Sequence, residues 1–202
     1  MLIGDKSTFA IESVITQAYE RLSFRALGCF VIHIGGRRYG VYKPDASMLA
    51  CSLDEVEHRI AQRGGHTAPF STELDAGKIA DAYGDATYAP DQENELFFGI
   101  PHPGFSDFFD FRNQNLRWHG GDETFDDGSV IFHFDIEDRI RLIGFNSSGE
   151  GYHHDPATLS DVWLEAEEFY DILQNWRNSF LAEWNASSKI SASEDGAVSP
   201  MT

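Results

Sequence analysis

The sequence has 202 residues, 42% of them hydrophobic and 13% aromatic, and this composition predicts one globular domain with a sizeable core rather than a disordered chain. Its 33 acidic and 15 basic residues give a net charge of −18 at pH 7. Such a surplus disfavours binding to nucleic acid or to an anionic membrane surface, since both would repel the chain. A cationic partner would account for the surplus, and so would solubility alone.

Two features predict a cytoplasmic protein. The first residues lack the basic and apolar regions of a signal peptide, and no apolar run approaches the roughly 20 residues of a membrane-spanning helix. Cys29 lies in an apolar run and Cys51 comes just before a predicted helix. This pattern favours two buried thiols in a reducing compartment over a disulfide.

The first third of the chain has the pattern of β-structure. Residues 9–16 alternate loosely between apolar and polar and predict a first strand. Two further apolar runs within residues 27–43 are separated by Gly35 and Gly36, which predicts a hairpin with a two-residue loop because both glycines can take positive φ. That loop places Ile32 beside Tyr39. His33 alternates out of its strand, so we expect it to be exposed.

Two helices are predicted next. Ser52 and Glu55 have the spacing of a capping box at the start of a helix over residues 53–63. A weaker pattern predicts a second helix over residues 73–83, ended by Gly84. Residues 85–94 are predicted to form a surface loop and residues 95–100 a short strand.

A second hairpin, over residues 129–145, is expected to lie at the centre of a sheet. Apolar residues recur at every second position from Val130 to Ile136, so His133 and Asp135 are predicted to point away from the apolar face. A three-residue loop over residues 137–139 would bring the apolar faces of both strands into step, with Ile136 opposite Ile140.

The last elements are a brief strand at residues 162–164 and a helix over residues 166–184 with an amphipathic aromatic stripe. The expected architecture is a single α+β domain over residues 1–185, in which helices cover one face of a mostly antiparallel sheet. Residues 186–202 have no apolar pattern and are predicted to form a disordered tail.

Catalytic patterns are weak in this sequence. His153, His154 and Asp155 could ligate zinc together with His119 or His133, which would suit a small metal-dependent hydrolase. Neighbouring residues on a regular strand cannot both face one metal, so we predict no catalytic residues, no metal and no cofactor. We therefore interpret the pattern as two surface histidines rather than as a metal site.

Several framework segments resemble the immunity protein 42 family of bacterial polymorphic toxin systems. They are Ile3-Gly4-Asp5, Phe9-Ala10-Ile11-Glu12, Leu27-Gly28, Gly35-Gly36 with Gly40, and Phe169-Tyr170 with Trp176. The resemblance covers most of residues 1–185 in order. It implies a non-catalytic protein that binds a secreted toxin encoded beside it and so protects the producing cell or its sisters.

An acidic run just before the second hairpin is the predicted toxin-facing surface. A basic toxin domain would be steered towards it by charge, and nearby aromatic side chains would serve as buried anchors. The predicted partner-binding residues are Asp107, Asp110, Trp118, Asp122, Glu123, Phe125, Asp126 and Asp127. Two readings remain beside this one: a solvated loop without a partner, and an acidic adaptor for another basic protein.

Overall fold

The computed structural model describes residues 1–70, 74–89, 95–120, 123–147 and 153–191, and these form a single α+β domain with mostly antiparallel sheets, as predicted. The strands are β1 (Leu2–Gly4), β2 (Phe9–Tyr19), β3 (Ala26–Ile34), β4 (Arg37–Tyr39), β5 (Ser47–Met48), β6 (Leu96–Phe97), β7 (Ile100–Pro101), β8 (Ser129–Ile136), β9 (Arg139–Asn146), β10 (Ser160–Glu165) and β11 (Lys189–Ile190). The helices are α1 (Leu49–Ala61), α2 (Ala76–Tyr88), α3 (His102–Asp107) and α4 (Ala166–Ala186). None of them is long and apolar enough to cross a membrane.

The larger sheet has the order β1-β2-β3-β4, with β5 also paired to β3 and β11 paired in parallel to β2. Gly35 and Gly36 both have positive φ, at 58° and 81°, and form the predicted two-residue turn. Ile32 is paired with Tyr39, which confirms the predicted register. The prediction for His33 is wrong: its ring is buried, and its Nε2 lies 2.9 Å from Oε2 of Glu12 on the neighbouring strand.

A second sheet, of three strands, has the order β10-β9-β8, and β6 and β7 form a third, two-stranded sheet. The hairpin of the second sheet differs from the prediction. Ile136 pairs with Arg139, so the loop holds only Glu137 and Asp138, and Glu137 takes a positive φ of 56°. The three-residue loop was predicted on the assumption that only one face of the hairpin is buried. In the structure both faces are buried, so apolar residues need not align on one of them.

This hairpin therefore lies between two hydrophobic cores. The first core contains the inner face of the larger sheet, α1, α4 and, from the hairpin, Ile131, Ile140 and Leu142. The second core contains residues of α2 and α3 and, from the other face of the hairpin, Val130, Phe132, Phe134, Ile143 and Phe145. Helices thus pack on two sheets and on both sides of β8 and β9, whereas the sequence predicted one sheet covered on a single face.

The prediction of a capping box is also wrong. Helix α1 begins at Leu49, so Ser52 lies inside the helix, where its hydroxyl is 3.3 Å from that of Ser47. Glu55 pairs instead with Arg59 at 2.7 Å. Both side chains are buried and bind other residues, so neither caps the helix as their spacing suggested.

Helix α2 starts after Asp75, whose Oδ1 accepts a hydrogen bond from the backbone N–H of Lys78. It continues to Tyr88 through Gly84, which is buried, so the predicted end at residue 83 and the predicted loop over its last turn are wrong. A glycine in a helix costs only about 1 kcal/mol, and burial of the residues around it outweighs this cost. Residues 71–73 and 90–94, at the predicted start and in the rest of the predicted loop, lie outside the described residues.

The C-terminal predictions are confirmed in their main features. Strand β10 contains the predicted edge strand, and α4 buries its aromatic stripe, including Phe169, Trp176 and Phe180. Beyond α4 the chain adds β11 to β2, within the segment that the sequence assigned to a tail. Residues 192–202 of that segment lie outside the described residues.

Candidate functional site

The acidic run lies in a turn that is fixed to the rest of the domain. Glu123, Asp126 and Asp127 are exposed, and Asp122 lies outside the described residues. Asp127 Oδ1 accepts a hydrogen bond of 3.0 Å from the backbone N–H of Ser129. The backbone oxygen of Thr124 accepts one of 2.8 Å from residue 41, just after β4. These bonds fix the backbone of the turn and the Asp127 carboxylate.

The three carboxylates line one side of an open groove of about 770 Å³. The other lining side chains include Arg38, Tyr42, Lys43 and Asp45. The Arg38 guanidinium carbon lies 5.0 Å from the centre of the Tyr42 ring, and the Tyr42 hydroxyl donates to Glu12. Two basic side chains thus partly offset the four carboxylates of this groove.

The remaining predicted partner residues are not all at this surface. Trp118 is only 1% exposed and stacks beneath Arg59 at 4.4 Å, so its ring belongs to the core and a partner has no access to it. Phe125 is partly buried against the first core. Asp107 and Asp110 are exposed, but they lie at the end of α3 and in the turn after it, beside the second core.

A buried polar network that the sequence did not predict lies between α1 and the hairpin. Arg59 is 0% exposed and pairs with Glu55, and its guanidinium donates to His133 Nδ1 at 2.9 Å. It also donates to the backbone oxygens of Asn115 and Arg117, at 3.2 and 2.8 Å. Because a guanidinium can only donate, His133 Nδ1 must accept, and the proton of the neutral ring is on Nε2.

Asp135 continues the network towards the surface. Its carboxylate accepts hydrogen bonds from the Tyr170 hydroxyl at 2.7 Å and from His66 Nδ1 and backbone N–H at 2.9 and 3.0 Å, and His133 Nε2 lies 3.4 Å away. His133 and Asp135 point away from the apolar face of Val130, Phe132 and Phe134, as predicted. Their own face of the hairpin is also buried, because α1, α4 and the loop at His66 cover it.

Burial sets the protonation of this network. It lowers the pKa of His133 to about 3 and also lowers the pKa of His66, in each case against an opposing hydrogen bond to Asp135. Burial would raise the pKa of Asp135, but the hydrogen bonds from His133 and His66 outweigh it and the pKa is lowered. At neutral pH the network therefore holds two neutral imidazoles and an ionised carboxylate.

Three of these side chains have the chemistry of a metal site. His66, His133 and Asp135 can place three ligand atoms within 4.8 Å of one another. In the arrangement observed, however, their N–H groups point at the carboxylate, and His133 Nδ1 already accepts from Arg59. A metal ion would have to displace these protons, so the geometry is that of a hydrogen-bonded clamp on Asp135.

The predicted His153 and His154 pair is bound to a different carboxylate from the one next to it in sequence. His154 Nδ1 lies 2.7 Å and His153 Nδ1 3.3 Å from Oδ1 of Asp81 on α2, whereas Asp155 accepts from the backbone of Ala157. Of the third ligands considered, His133 is held by Arg59, and the ring of His119 contacts Phe111. The structure thus places neither beside this pair as a zinc ligand.

A second cavity, of about 390 Å³, opens at the tip of the β8–β9 hairpin beside the start of α4. Its acidic lining residues are Asp135, Glu137, Asp138, Glu165 and Glu167. Arg63 and the ring of Tyr170 complete its polar and aromatic wall. We refer to it below as the hairpin-tip cavity.

Comparisons with known proteins give a family match and a solved structure of similar fold. The family model described as immunity protein 42 matches residues 1–179. Among solved structures, the crystal structure of CdiI from Burkholderia dolosa AUO158 is similar in fold, with a TM-score of 0.56 and 20% sequence identity over 91% of this chain and 99% of that one. A search of curated proteins finds no match.

Proposed function

The chain belongs to the immunity protein 42 family and is thus an immunity protein of toxin systems, and we propose that it binds and neutralises a cognate secreted toxin in the cytoplasm of the cell that makes it. Binding alone would block the toxin, without catalysis by this chain. A toxin domain that is basic would suit the net charge of −18. Nucleic acid and membranes are not partners in this proposal.

The observation that carries the proposal is the extent of the family match. It begins at the first residue and ends within α4, so it includes every strand except β11 and nearly all residues of both cores. A match of this extent concerns the whole domain rather than one short motif. It supports a function that requires the folded domain as a whole.

The acidic turn is one proposed contact surface for the toxin. Glu123, Asp126 and Asp127 are exposed on a turn whose backbone is fixed, and Phe125 beside them offers partly exposed aromatic area. Charge of this kind steers a basic partner and raises the association rate constant by roughly 10-fold to 10³-fold. Asp107 and Asp110 would extend the negative field from the side of α3.

Co-expression tests the proposal directly. The probe is the C-terminal domain of the secreted protein encoded upstream of this chain, expressed from an inducible promoter. We expect this chain to restore growth and to form a stable complex with the purified domain. An unrelated immunity protein, expressed to the same level, is the control. Continued growth arrest with both proteins present, or no complex by size-exclusion chromatography, would contradict the proposal.

The same experiment separates the proposal from an acidic adaptor. An adaptor would bind another basic protein and would leave the toxicity of the upstream domain unchanged. The identity of the upstream gene is a first, inexpensive indication, because a metabolic neighbour would favour the adaptor.

A further inference from the structure

Strand β10 forms an open edge of the second sheet. Its one neighbour is β9, and it is six residues long, whereas the edge strands β1 and β4 of the larger sheet have three residues each. We propose that an extended segment of the cognate toxin pairs with β10 as a fourth strand and places a lysine or arginine side chain beside Glu165. The inference rests on the proposed function and goes beyond it by naming the edge that binds the toxin and the chemistry of the bound segment.

The backbone of β10 is open on its outer side. β10 and β9 pair antiparallel without a register shift, and the N–H of Ala166, just after β10, donates to the backbone oxygen of Asp138 at 2.8 Å. Backbone groups of successive residues in a strand face opposite sides, so this bond fixes Asp161, Trp163 and Glu165 as the residues that face away from β9. Within the described part of the chain, no hydrogen bond reaches the N–H groups of these three residues. They are therefore available to an added strand.

The opposite edge of the same sheet is covered by the chain itself. The outward-facing N–H groups of His133 and Asp135 on β8 donate to the backbone oxygens of Leu116 and His66, at 2.9 and 2.8 Å. Natural proteins cover or interrupt their edge strands, because an open edge pairs with other chains. β10 contains no proline, glycine or lysine and no bulge. The difference between the two edges indicates that β10 is kept open for a partner.

Partly exposed side chains lie on both faces of this edge. Val162 packs against the first core on one face. Trp163 lies on the other face, where the centre of its ring is 4.9 Å from the guanidinium carbon of Arg139 and 5.4 Å from that of Arg141. A fourth strand would bury the remaining surface of both side chains. Tryptophan is among the residues that contribute most to binding when an interface buries them.

The charges on neighbouring strands indicate what the toxin segment carries. Arg139 of β9 lies opposite Glu165 of β10, and Arg141 of β9 pairs with Asp161 of β10 at 2.7 Å. Opposite charges on neighbouring strands are stabilising, and like charges are destabilising. A basic side chain on the fourth strand would continue the alternation from basic β9 to acidic β10. Glu165 is available to it, since no ion pair between described residues includes Glu165.

A second copy of this chain is a less suitable occupant of the edge. The register that pairs all three outward-facing residues of one β10 with those of another places Asp161 opposite Glu165 on both sides of Trp163. Like charges would then meet twice in one short strand pair, which is destabilising. The two carboxylates thus oppose self-association and favour a basic partner.

Hydrogen exchange of the free chain tests the open edge without the toxin. The backbone amides of Asp161 and Trp163 should exchange rapidly, whereas those of Val162 and Leu164, which face β9, and of His133, on the covered edge, should be protected. ¹H–¹⁵N correlation spectra recorded after transfer to D₂O resolve each amide. Equal protection of the two outward-facing amides and their neighbours would show that the chain covers β10 itself, and this result would overturn the inference.

A proline at the edge tests binding to the toxin domain encoded upstream. Asp161→Pro removes an outward-facing N–H and obstructs an added strand, without loss of a hydrogen bond to β9. Asp161→Ala is the matched control, because it removes the same side chain and its pairing with Arg141 but keeps the N–H. We expect the Kd of Asp161→Pro to be weaker than that of Asp161→Ala by about tenfold or more. Equal affinities of the two folded variants would overturn the inference while the proposed function stands.

Charge reversal at Glu165 keeps the test decisive if the proline variant does not fold. Glu165→Lys should weaken the Kd by about tenfold or more, because like charges would then meet across the new strand pair. Glu137→Lys is the control, since Glu137 lines the same hairpin-tip cavity as Glu165 but lies in the turn between β8 and β9, away from the outer edge of β10. Equal effects of the two reversals would contradict the inference. If the wild type does not bind the toxin domain, the proposed function fails and the inference fails with it.

Discussion

Replacement of Arg59 by methionine tests whether the buried network supports the fold. Methionine keeps much of the aliphatic stem but removes a guanidinium that serves four acceptors, namely Glu55, His133 Nδ1 and the backbone oxygens of Asn115 and Arg117. Removal of one partner of a buried ion pair typically costs about 3–5 kcal/mol, because the other charge is left buried and unpaired. We expect a loss of this size in the free energy of unfolding.

The assay is urea unfolding followed by tryptophan fluorescence, with linear extrapolation to water. Arg177→Met is the matched control, because Arg177 pairs with Glu57 at 2.6 Å but both side chains are about one-third exposed, at 34% and 37%. An exposed pair contributes about 0–1 kcal/mol, so this variant should lose little. A loss at Arg59 no larger than the loss at Arg177 would refute the reasoning.

A double variant sharpens the test. In the wild type, Glu55→Gln breaks an ion pair and should destabilise the protein. In the Arg59→Met background the same change removes an unpaired buried charge and should restore about 1–3 kcal/mol. The effect of one substitution thus reverses its sign with the background. An effect of the same sign in both backgrounds would mean that the Glu55 charge is solvated and not part of a buried pair.

Two further predictions concern charge. Asp126→Lys/Asp127→Lys should slow association with the toxin domain by about tenfold at low salt and make the rate less dependent on salt. Stopped-flow fluorescence measures this rate. Unchanged kinetics would remove these residues from the proposed surface. The folded-state pKa of His133, about 3, lies below the unfolded value of about 6.5, so the unfolded chain binds the extra proton in between. Stability should therefore be full above about pH 6.5 and fall towards pH 3 by up to about 1.4 kcal/mol per pH unit, and His133→Gln should reduce this slope in urea unfolding.

Controls separate these effects from misfolding and from general charge. For the acidic turn, Glu20→Lys/Glu95→Lys adds the same positive charge elsewhere and should change the association rate less. A His133→Gln protein with the wild-type slope would show that another group is responsible.

The fold features that could be predicted from the sequence are those that depend on residues close together in the chain. Two adjacent glycines can adopt the turn at Gly35 and Gly36 whatever packs around them, and a stripe such as that of Phe169, Trp176 and Phe180 requires burial of one helix face. The register of the second hairpin failed because it depends on a second core, which is assembled from α2 and α3 elsewhere in the chain.

The candidate site could likewise be predicted only where local sequence decides the structure. Glu123, Asp126 and Asp127 are charged residues in a turn, so their exposure could be predicted from the local sequence. Trp118 is buried by contacts with residues far away in the chain, and no local pattern indicates these contacts. Arg59 and His133 are 74 positions apart, so their pairing has no local signature. One partial signal was available: Glu55 and Arg59 are spaced i, i+4 in the predicted helix, which favours an ion pair but does not indicate that the pair is buried.

The β8–β9 hairpin joins the two hydrophobic cores of this protein. Its two faces each complete a core, so the position of its tip is fixed by packing on both sides. Asp135 lies in β8 close to that tip and accepts hydrogen bonds from Tyr170 of α4 and from His66 in the loop after α1. A hydrogen bond to a charged group typically contributes about 1.5–3 kcal/mol. Tyr170→Phe should therefore lower the free energy of unfolding by about this amount in urea unfolding, and an unchanged value would show that this bond does not support the fold.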